Sequence, residues 1–224
     1  MRNVLLAGVG GQGTVLAAKV LAQAAQEKGW QVRTAETIGM AQRGGSVVSH
    51  VRMGDAGEEV LAPLVAQGTA DLIIAFEPAE GARVLPYLAP NGVLVSAITA
   101  IQPVTAALSN EPYRSEEVAA RLDALLNSGS SRRFVAVDDG RILRQMGGRK
   151  VLNTVLLACA LATGWLPLTL DDLRCAIRAC VKPQFVDMNL QAADAAVRQL
   201  RRRAHLLWYV PWSRKNRPAK TAAE

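Results

Sequence analysis

The chain has 224 residues, of which half are hydrophobic, a fifth are charged and only 4% are aromatic. This composition suits one packed domain and excludes a wholly disordered chain. No apolar run reaches the ~18 residues that a membrane span needs. The N-terminal MRNVLLAGVGG lacks the cleavage site of a signal peptide. We therefore expect a cytoplasmic protein with no membrane span.

The net charge of +7 is concentrated near the C-terminus. Eight basic residues and no acidic ones lie between 198 and 220, so the preceding chain is close to neutral. We predict one domain over residues 1–205 and a basic tail over 206–224 that contains Trp208, Tyr209 and Trp212. The tail is either a poorly ordered terminus or a docking segment for a partner protein or an anionic surface. No nucleic-acid-binding module precedes it, and we predict no nucleic-acid partner.

Cysteine and histidine are too few for a metal centre. The three cysteines are Cys159, Cys175 and Cys180, and the two histidines are His50 and His205. An iron–sulfur cluster normally takes four thiolates, and no zinc-type spacing is present. Any redox metal would have to be on another chain. We interpret His50, on a predicted strand, as a packed histidine without a catalytic role.

The first elements predict a β-α-β unit. An apolar strand (3–8) runs into a glycine-rich turn, then a helix that ends at Gly29, then a second strand (31–36). Such crossovers are nearly always right-handed.

The remaining pattern alternates strands and helices before becoming helical. The predicted strands are 47–55, 71–76, 92–98 and 134–139; the predicted helices are 61–70, 78–88, 115–127 (capped by Ser115), 149–164, 169–180 and a stripe from Val186. The fold class is α/β: a Rossmann-like, three-layer, mostly parallel sheet flanked by helices, with a helical C-terminal third.

The glycine turn is a candidate binding site for a phosphate group. The pattern Gly8-x-Gly10-x-x-Gly13 follows a strand and opens a helix, so backbone N–H groups and the helix N-terminus face an approaching anion. The candidates are Gly8, Gly10, Gly11, Gln12 and Gly13, with Glu36 placed where a dinucleotide fold has its ribose-binding acid. The alternative is that these glycines only allow close helix–sheet packing.

A second candidate is the loop after the second strand. It is rich in glycine and hydrogen-bond donors, and should lie beside the glycine turn at the carboxyl ends of the strands. Its candidate residues are Met40, Gln42, Arg43, Gly44, Gly45 and Ser46. Arg43 either pairs with a phosphate or carboxylate, or is an ordinary exposed arginine. No catalytic residue and no metal ligand is predicted, because nothing here assembles a complete active site.

Four segments together resemble the gamma-type domain of the 2-oxoacid:ferredoxin oxidoreductases. They are GVGGQGT, ETIGMAQRGGSVVSHVR, ADLIIAFEPAEGARVLPYLAPNG and GRKVLNTVLLA, in order over residues 1–200. Within the family the resemblance is to the beta subunits of indolepyruvate enzymes, in which this domain is a separate chain. The family usually has Gly-Asn where this chain has Gly147-Gly148-Arg149-Lys150 ahead of Asn153.

The resemblance implies a subunit of an enzyme that oxidatively decarboxylates an arylpyruvate to an acyl-CoA and passes the electrons to ferredoxin. It places thiamine diphosphate and [4Fe-4S] clusters on a large partner subunit, and associates this domain with coenzyme A. Alternatives are the same family acting on pyruvate, 2-oxoisovalerate or 2-oxoglutarate, a stand-alone nucleotide-binding protein, and a non-catalytic interaction module.

Overall fold

A six-stranded sheet is the centre of the molecule. The computed structural model describes residues 1–39, 45–55, 57–99, 113–129 and 131–204. The strands are β1 (Arg2–Val9), β2 (Gln31–Ile38), β3 (Ser46–Gly54), β4 (Ala70–Ala75), β5 (Leu88–Ala97) and β6 (Arg133–Val137). The helices are α1 (Thr14–Glu27), α2 (Pro78–Arg83), α3 (Ser115–Asn127), α4 (Asp139–Gln145), α5 (Leu152–Ala162), α6 (Leu170–Cys180) and α7 (Pro183–Ala204). Short 3-10 turns cover Leu85–Tyr87 and Arg149–Val151.

The sheet is mixed, and its strand order is β2-β3-β1-β4-β5-β6. β1, β4, β5 and β6 are parallel neighbours, whereas β3 is antiparallel to both β1 and β2. This confirms the predicted α/β class with a mostly parallel sheet. β1 and β2 run in the same direction, as the predicted β-α-β unit requires, and β3 lies between them. Strand and turn signals do not specify which strands become neighbours.

Helices cover both faces of the sheet and produce three layers. α1, α5, α6 and α7 pack with the larger core on one face, and α2 and α3 pack on the other. α5 is buried on all sides from Leu152 to Leu161, which fits its nearly continuous apolar sequence. The helical C-terminal third therefore lies against the same face of the sheet as α1. No helix of the described ranges is long and apolar enough to cross a bilayer.

Helix ends agree with several sequence signals. Pro78 is the first residue of α2, and Glu77 caps it by accepting from the N–H groups of Ala79 and Glu80. Thr169 and Asp172 form a reciprocal capping box at α6. Gly29 and Gly164 have positive φ angles just after the helices that they were expected to end.

Three local predictions are wrong. Residues 61–69 are not helical, because their backbone groups bond to side chains of β3: Arg52 donates to the carbonyls of Ala62 and Leu64, and Val65 N–H donates to His50 Nδ1. The helix expected over 78–88 ends at Arg83 and is followed by a 3-10 turn. Ser115 does not cap α3; the residue at that position is Arg114, with no side-chain cap hydrogen bond.

Candidate functional site

The sheet has a topological switch point between β1 and β4, where the helices that follow these strands go to opposite faces. β1 is followed by α1 on one face and β4 by α2 on the other, and these helices lead to opposite sides of the sheet. Ligands of open α/β sheets bind at the carboxyl ends of strands at such a switch point. The glycine turn after β1 and Glu77 after β4 both lie there. The switch point therefore coincides with the predicted phosphate-binding turn.

The glycines of the turn have different structural roles. A Cβ on Gly8 would lie 2.7 Å from Gln12 Oε1 and 2.9 Å from Phe76 Cβ, so this position requires close packing. Gly11 and Gly13 have φ angles of 95° and 82°, which favour glycine, and a Cβ on Gly11 would meet nothing within 4 Å. Gly8 thus supports the packing interpretation, whereas Gly11 leaves open space beside the turn.

Gln12 braces the turn from inside. Its Oε1 accepts from Val9 N–H at 2.6 Å, and its Nε2 donates to the Phe76 carbonyl at 3.0 Å, at the end of β4. The side-chain amide is therefore engaged within the protein on both sides. In this geometry Gln12 holds the turn against β4 and uses one N–H of its Nε2 group to do so.

Donors remain at the open side of the turn. Within the described residues, the N–H groups of Gly11 and Gly13 donate to no protein acceptor, and the first turn of α1 has no side-chain cap. The Thr14 hydroxyl at the helix start is buried without a hydrogen-bond partner. Because the N-terminal end of a helix carries partial positive charge, this arrangement is suited to an anion.

Asn153 lies against the glycine turn and becomes a candidate site residue that composition and spacing alone did not single out. Its Nδ2 lies 3.5 Å from the position of a Cβ on Gly13, and its Oδ1 accepts from Thr154 N–H at 2.9 Å. The side chain is buried, and its amide N–H₂ donates to no other described residue. The start of α5 thus brings a polar donor against the glycine turn. The signal available in the sequence was the GRKVLNTV segment that carries the family resemblance.

The predicted loop begins and ends beside the turn. Gly10 N–H donates to the Gly45 carbonyl at 2.9 Å, and Gly39 N–H donates to the Ser46 carbonyl at 2.8 Å. Ser46 Oγ also donates to Glu80 Oε1 at 2.8 Å. The expected proximity of loop and turn is therefore present. Four of the predicted loop residues lie outside the described ranges: Met40, Gln42, Arg43 and Gly44.

Glu36 lies farther from the turn than a dinucleotide-binding fold would place it. It is exposed on β2 and pairs with Ser49 of β3, which in turn pairs with Leu6 of β1. One whole strand therefore separates Glu36 from β1, at strand spacings of about 4.8 Å each. The physical reason is that β3 lies between β2 and β1.

Two carboxylates flank the crevice. Glu77 is almost fully buried, and burial raises its pKa, although bonds from Tyr113 and from backbone N–H groups oppose the rise. Burial and the bond to Glu77 raise the pKa of Tyr113, whose hydroxyl stays protonated and donates to Glu77. Glu80 accepts from Ser46 and from Arg83. These acids are tied to neighbouring donors and connect α2 to β3 and to the start of α3.

His50 and Cys159 take structural positions in the described chain. His50 is buried, its Nδ1 accepts from Val65 N–H at 3.1 Å, and burial lowers its pKa. Cys159 is buried and its pKa is raised to about 12 by desolvation. Across the described ranges, no three His, Cys, Asp or Glu side chains come together as a group that could hold a metal ion.

Comparison with protein families identifies the domain. Residues 3–199 match the family model described as pyruvate ferredoxin/flavodoxin oxidoreductase. The chain belongs to this family. The match covers nearly the whole predicted domain and ends before the basic tail.

Curated relatives within the family point to one type of subunit. Indolepyruvate oxidoreductase subunit IorB of Pyrococcus horikoshii is 34% identical over 196 residues, covering 88% of this chain and 94% of the relative. IorB of Archaeoglobus fulgidus is 36% identical over 199 residues with the same coverage. Ketoisovalerate oxidoreductase subunit VorA of Methanothermobacter thermautotrophicus is 28% identical, covering 86% of this chain but 35% of the relative. The chain is therefore an IorB-like subunit of a 2-oxoacid:ferredoxin oxidoreductase, as the resemblance implied.

Solved structures share the fold. The gamma subunit of a keto/oxoacid ferredoxin oxidoreductase from Geobacter sulfurreducens superposes with a TM-score of 0.63 at 20% identity, covering 90% of this chain and 99% of that one. The 2-oxoglutarate:ferredoxin oxidoreductase of Magnetococcus marinus, solved with 2-oxoglutarate, coenzyme A and succinyl-CoA, gives 0.66 at 17% identity, covering 94% of this chain and 32% of that one. The family fold can thus be a separate chain or part of a longer one.

Proposed function

We propose that this family member is the small subunit of an enzyme that oxidises an arylpyruvate, such as indolepyruvate, with ferredoxin as electron acceptor. The observation behind the substrate is the 32–36% identity to IorB subunits over most of both chains. In this reaction the bond between the carboxylate and the keto carbon breaks, and CO₂ leaves. The acyl group forms a thioester with coenzyme A, one proton is released, and two electrons pass to ferredoxin.

In this proposal a partner subunit carries out the electron transfer. A [4Fe-4S] cluster is normally held by four thiolates, and this chain has three cysteines, of which Cys159 is buried within the core. We assign the clusters and thiamine diphosphate to a large partner subunit. The role left for this chain is to complete the assembly and to contribute to the coenzyme A site.

The glycine turn is the proposed contact for the pyrophosphate of coenzyme A. Within the described residues, the unbonded N–H groups of Gly11 and Gly13, the uncapped start of α1 and the buried amide of Asn153 all belong to the surroundings of this turn. These are neutral donors, which bind an anion without the desolvation cost of a buried charge. Coenzyme A bound to the 2-oxoglutarate enzyme, which shares this fold, supports the choice of ligand.

The substrate is tested on the native complex. The chain is co-purified with its partner, thiamine diphosphate and iron are quantified, and ferredoxin reduction is measured with indolepyruvate, pyruvate, 2-oxoisovalerate and 2-oxoglutarate. We expect the highest kcat/KM for indolepyruvate. A preference for 2-oxoisovalerate would support the alternative suggested by the similarity to VorA. Ferredoxin reduction by the isolated chain would overturn the subunit assignment.

The coenzyme A contact is tested by two variants of opposite charge at one position in the first turn of α1. Val15 is 46% exposed in the first turn of the helix. Val15→Glu should raise the KM for coenzyme A through repulsion of the pyrophosphate, and Val15→Lys should not. Helix stability predicts the opposite order, because an acid is favourable and a base unfavourable at a helix N-terminus. The KM for the oxoacid should stay unchanged in both variants.

A control for added charge is Leu125→Glu on α3, which is 60% exposed and lies on the other face of the sheet. It should leave the KM for coenzyme A unchanged. Equal KM values for coenzyme A in the two Val15 variants would overturn the proposed contact without affecting the assignment to the family.

Arg43 supplies a separate test of the loop that begins at Gly39 and ends at Gly45. In the proposal its guanidinium pairs with a phosphate of coenzyme A or with the active-site mouth of the partner. Arg43→Ala should raise the KM for coenzyme A or lower the turnover of the assembled enzyme. If both are unchanged, the loop has no part in the site.

A further inference from the structure

The strand β2 forms one edge of the sheet. Among the described residues it pairs only with β3, along its whole length and without a shift in register. It has eight residues and contains no proline and no lysine, which natural proteins commonly use to protect an edge strand. The opposite edge strand, β6, has only five residues. A long and regular edge such as that of β2 is suited to pairing with a further strand.

The backbone groups that would bind such a strand belong to alternate residues of β2. Gly39 N–H donates to the Ser46 carbonyl, so these two residues form a hydrogen-bonded pair of the antiparallel ladder. Hydrogen-bonded and non-hydrogen-bonded pairs alternate along such a ladder. Counted back from Gly39, the even-numbered residues of β2 therefore have N–H and carbonyl groups that point away from β3. These outward residues are Val32, Thr34, Glu36 and Ile38.

The side chains of the outward residues lie on the sheet face that α1 covers. Val32 packs against the larger core on that face, and side chains two residues apart on a strand share a face. Thr34 and Glu36 are exposed. Ile38 is 65% exposed, although it is a large aliphatic residue on a strand. The described chain therefore leaves an apolar side chain mostly uncovered at this edge.

A second copy of β2 can pair with the first across a two-fold axis perpendicular to the sheet. The strands are then antiparallel, and residues that face each other share a sheet face, so the axis passes through one residue of β2. An axis at Arg33 or at Glu36 places like charges opposite each other, which is destabilising. An axis at Thr34 places Val32 opposite a glutamate of the second copy. Axes nearer the strand ends leave fewer paired residues.

The register with its axis at Ala35 is complementary. It places Val32 opposite Ile38 of the second copy, twice by symmetry, so each exposed isoleucine gains an apolar partner. Thr34 faces Glu36 of the second copy, where the hydroxyl can donate to the carboxylate. The two Ala35 residues form a non-hydrogen-bonded pair on the axis, with their Cα atoms about 4.5 Å apart. Each outward residue gains a hydrogen-bonded partner in this register.

We propose that the small subunit forms a symmetric dimer through this edge, with the two β2 strands antiparallel and Ala35 on the axis. The sheets of the two copies then become one continuous sheet. Because the copies are antiparallel, their glycine turns lie at opposite ends of this sheet, and each remains accessible to a large partner subunit. The dimer is independent of the coenzyme A contact, so the two proposals can fail separately.

Sedimentation equilibrium of the full-length chain over a range of concentrations tests the dimer. Residue 34 faces Glu36 of the second copy twice by symmetry, so the dissociation constant should respond to the charge introduced there. Thr34→Glu should weaken the dimer about tenfold, whereas Thr34→Lys should not weaken it. Thr34→Glu combined with Glu36→Lys should restore the dimer. The KM for coenzyme A of the assembled enzyme should be the same in the two Thr34 variants.

Disulfide trapping tests the register. In a chain that carries Cys175→Ser and Cys180→Ser, Ala35→Cys should give a covalent dimer on oxidation, because the two side chains meet on the axis. Thr37→Cys, on the same strand and the same sheet face, is the matched control. Its two copies would be four residues apart along the strand, about 13 Å, and should not cross-link.

Three results would overturn the proposal. The first is a chain that stays monomeric at its highest soluble concentration, including one that uses β2 only to bind the large subunit. The second is a dimer that Thr34→Glu and Thr34→Lys affect equally. The third is cross-linking through Thr37→Cys but not through Ala35→Cys, which would exclude this register.

Discussion

Glu77 illustrates how a buried charge at the switch point is accommodated. One carboxylate oxygen accepts two backbone N–H groups of α2, and the other accepts the hydroxyl of Tyr113. Burial nevertheless dominates and raises the pKa above its ordinary value near 4.5. The folded protein therefore holds the proton more tightly than the unfolded chain does, and the group contributes stability at low pH that is lost as pH rises.

We predict a specific pH dependence for Glu77→Gln. The amide does not titrate in this range, so the variant lacks the loss of stability that the wild-type carboxyl undergoes as pH rises through its folded pKa. Relative to wild type, the variant should gain free energy of unfolding as pH rises above about 4.5, on top of a constant cost for the altered hydrogen bonds. Urea unfolding at several pH values measures this.

Glu117→Gln is the control for loss of one carboxylate, because Glu117 is exposed on α3. Its stability difference from wild type should change less with pH. A Glu77→Gln difference that is flat, or that falls as pH rises, would contradict the assigned direction of the pKa shift.

At the residue scale, sequence predicted the type of several positions but not their partners. The packed role of His50 is confirmed. Gln12 remains a predicted ligand-binding residue, and the structure adds partners that its sequence position did not show, because its amide is bonded to Val9 and Phe76. Phe76 is 64 residues away in sequence, and no local pattern indicates which side chain a distant carbonyl will meet.

At the scale of elements, α6 shows how local chemistry sets a helix end. Thr169 Oγ1 accepts from Asp172 N–H at 3.1 Å, and Asp172 Oδ2 accepts from Thr169 N–H at 2.7 Å. Partial burial acts to raise the pKa of Asp172, but the bonds from Thr169 and the contact with Lys28 lower it overall. The capping interaction therefore contributes stability above about pH 4 that is lost as pH falls.

We predict that Thr169→Ala lowers the free energy of unfolding by about 1 kcal/mol at neutral pH. The loss should shrink at acidic pH as Asp172 becomes protonated. Thr37→Ala, exposed on β2, serves as a control for the same substitution outside a cap. An equal effect in the two variants, measured by denaturant unfolding, would remove the capping box as the cause.

Capped and apolar elements were the most predictable, because their signals are local. The bounds of α3 match the prediction, and α6 begins one residue later than predicted. The segment 61–69 was misassigned because its hydrogen-bond partners, Arg52 and His50, are on another element. Residues whose backbone is satisfied by distant side chains do not show this in their own sequence.

At the scale of the whole molecule, α5 is the element on which the larger core depends. It packs against α1, α4, α6 and α7 and against strands of the sheet. We predict that Leu156→Ala, at a fully buried position, lowers the free energy of unfolding by about 2–5 kcal/mol. Leu125→Ala on α3, 60% exposed, should cost less than about 0.5 kcal/mol.

Denaturant unfolding of both variants provides the comparison. Similar losses for Leu156→Ala and Leu125→Ala would show that α5 is not central to the stability of the fold. An intermediate that appears only in Leu156→Ala would instead show that the two faces of the sheet unfold separately.

Class and layer count followed from the alternation of strands and helices, whereas strand order did not. The insertion of β3 between β1 and β2 joins residues 31–38 to 46–54 as an antiparallel pair. The pairing of β3 with β1 and its pairing with β2 both depend on contacts between segments whose individual patterns are those of ordinary strands. Periodicity predicted the strands and helices, whereas the family was predicted from specific motifs such as ETIGMAQRGGSVVSHVR.

The antiparallel pairing of β2 with β3 makes the 39–45 connection a hairpin tip anchored at both ends. The residue pairs run without a shift from Ile38–Val47 to Gln31–Gly54, so the two strands pair along their whole length. A chimera that carries another tip of the same length should keep this register, because turn type and loop length fix the register of a hairpin. Grafting tips from enzymes for different oxoacids would vary the chemistry beside the glycine turn on a constant scaffold.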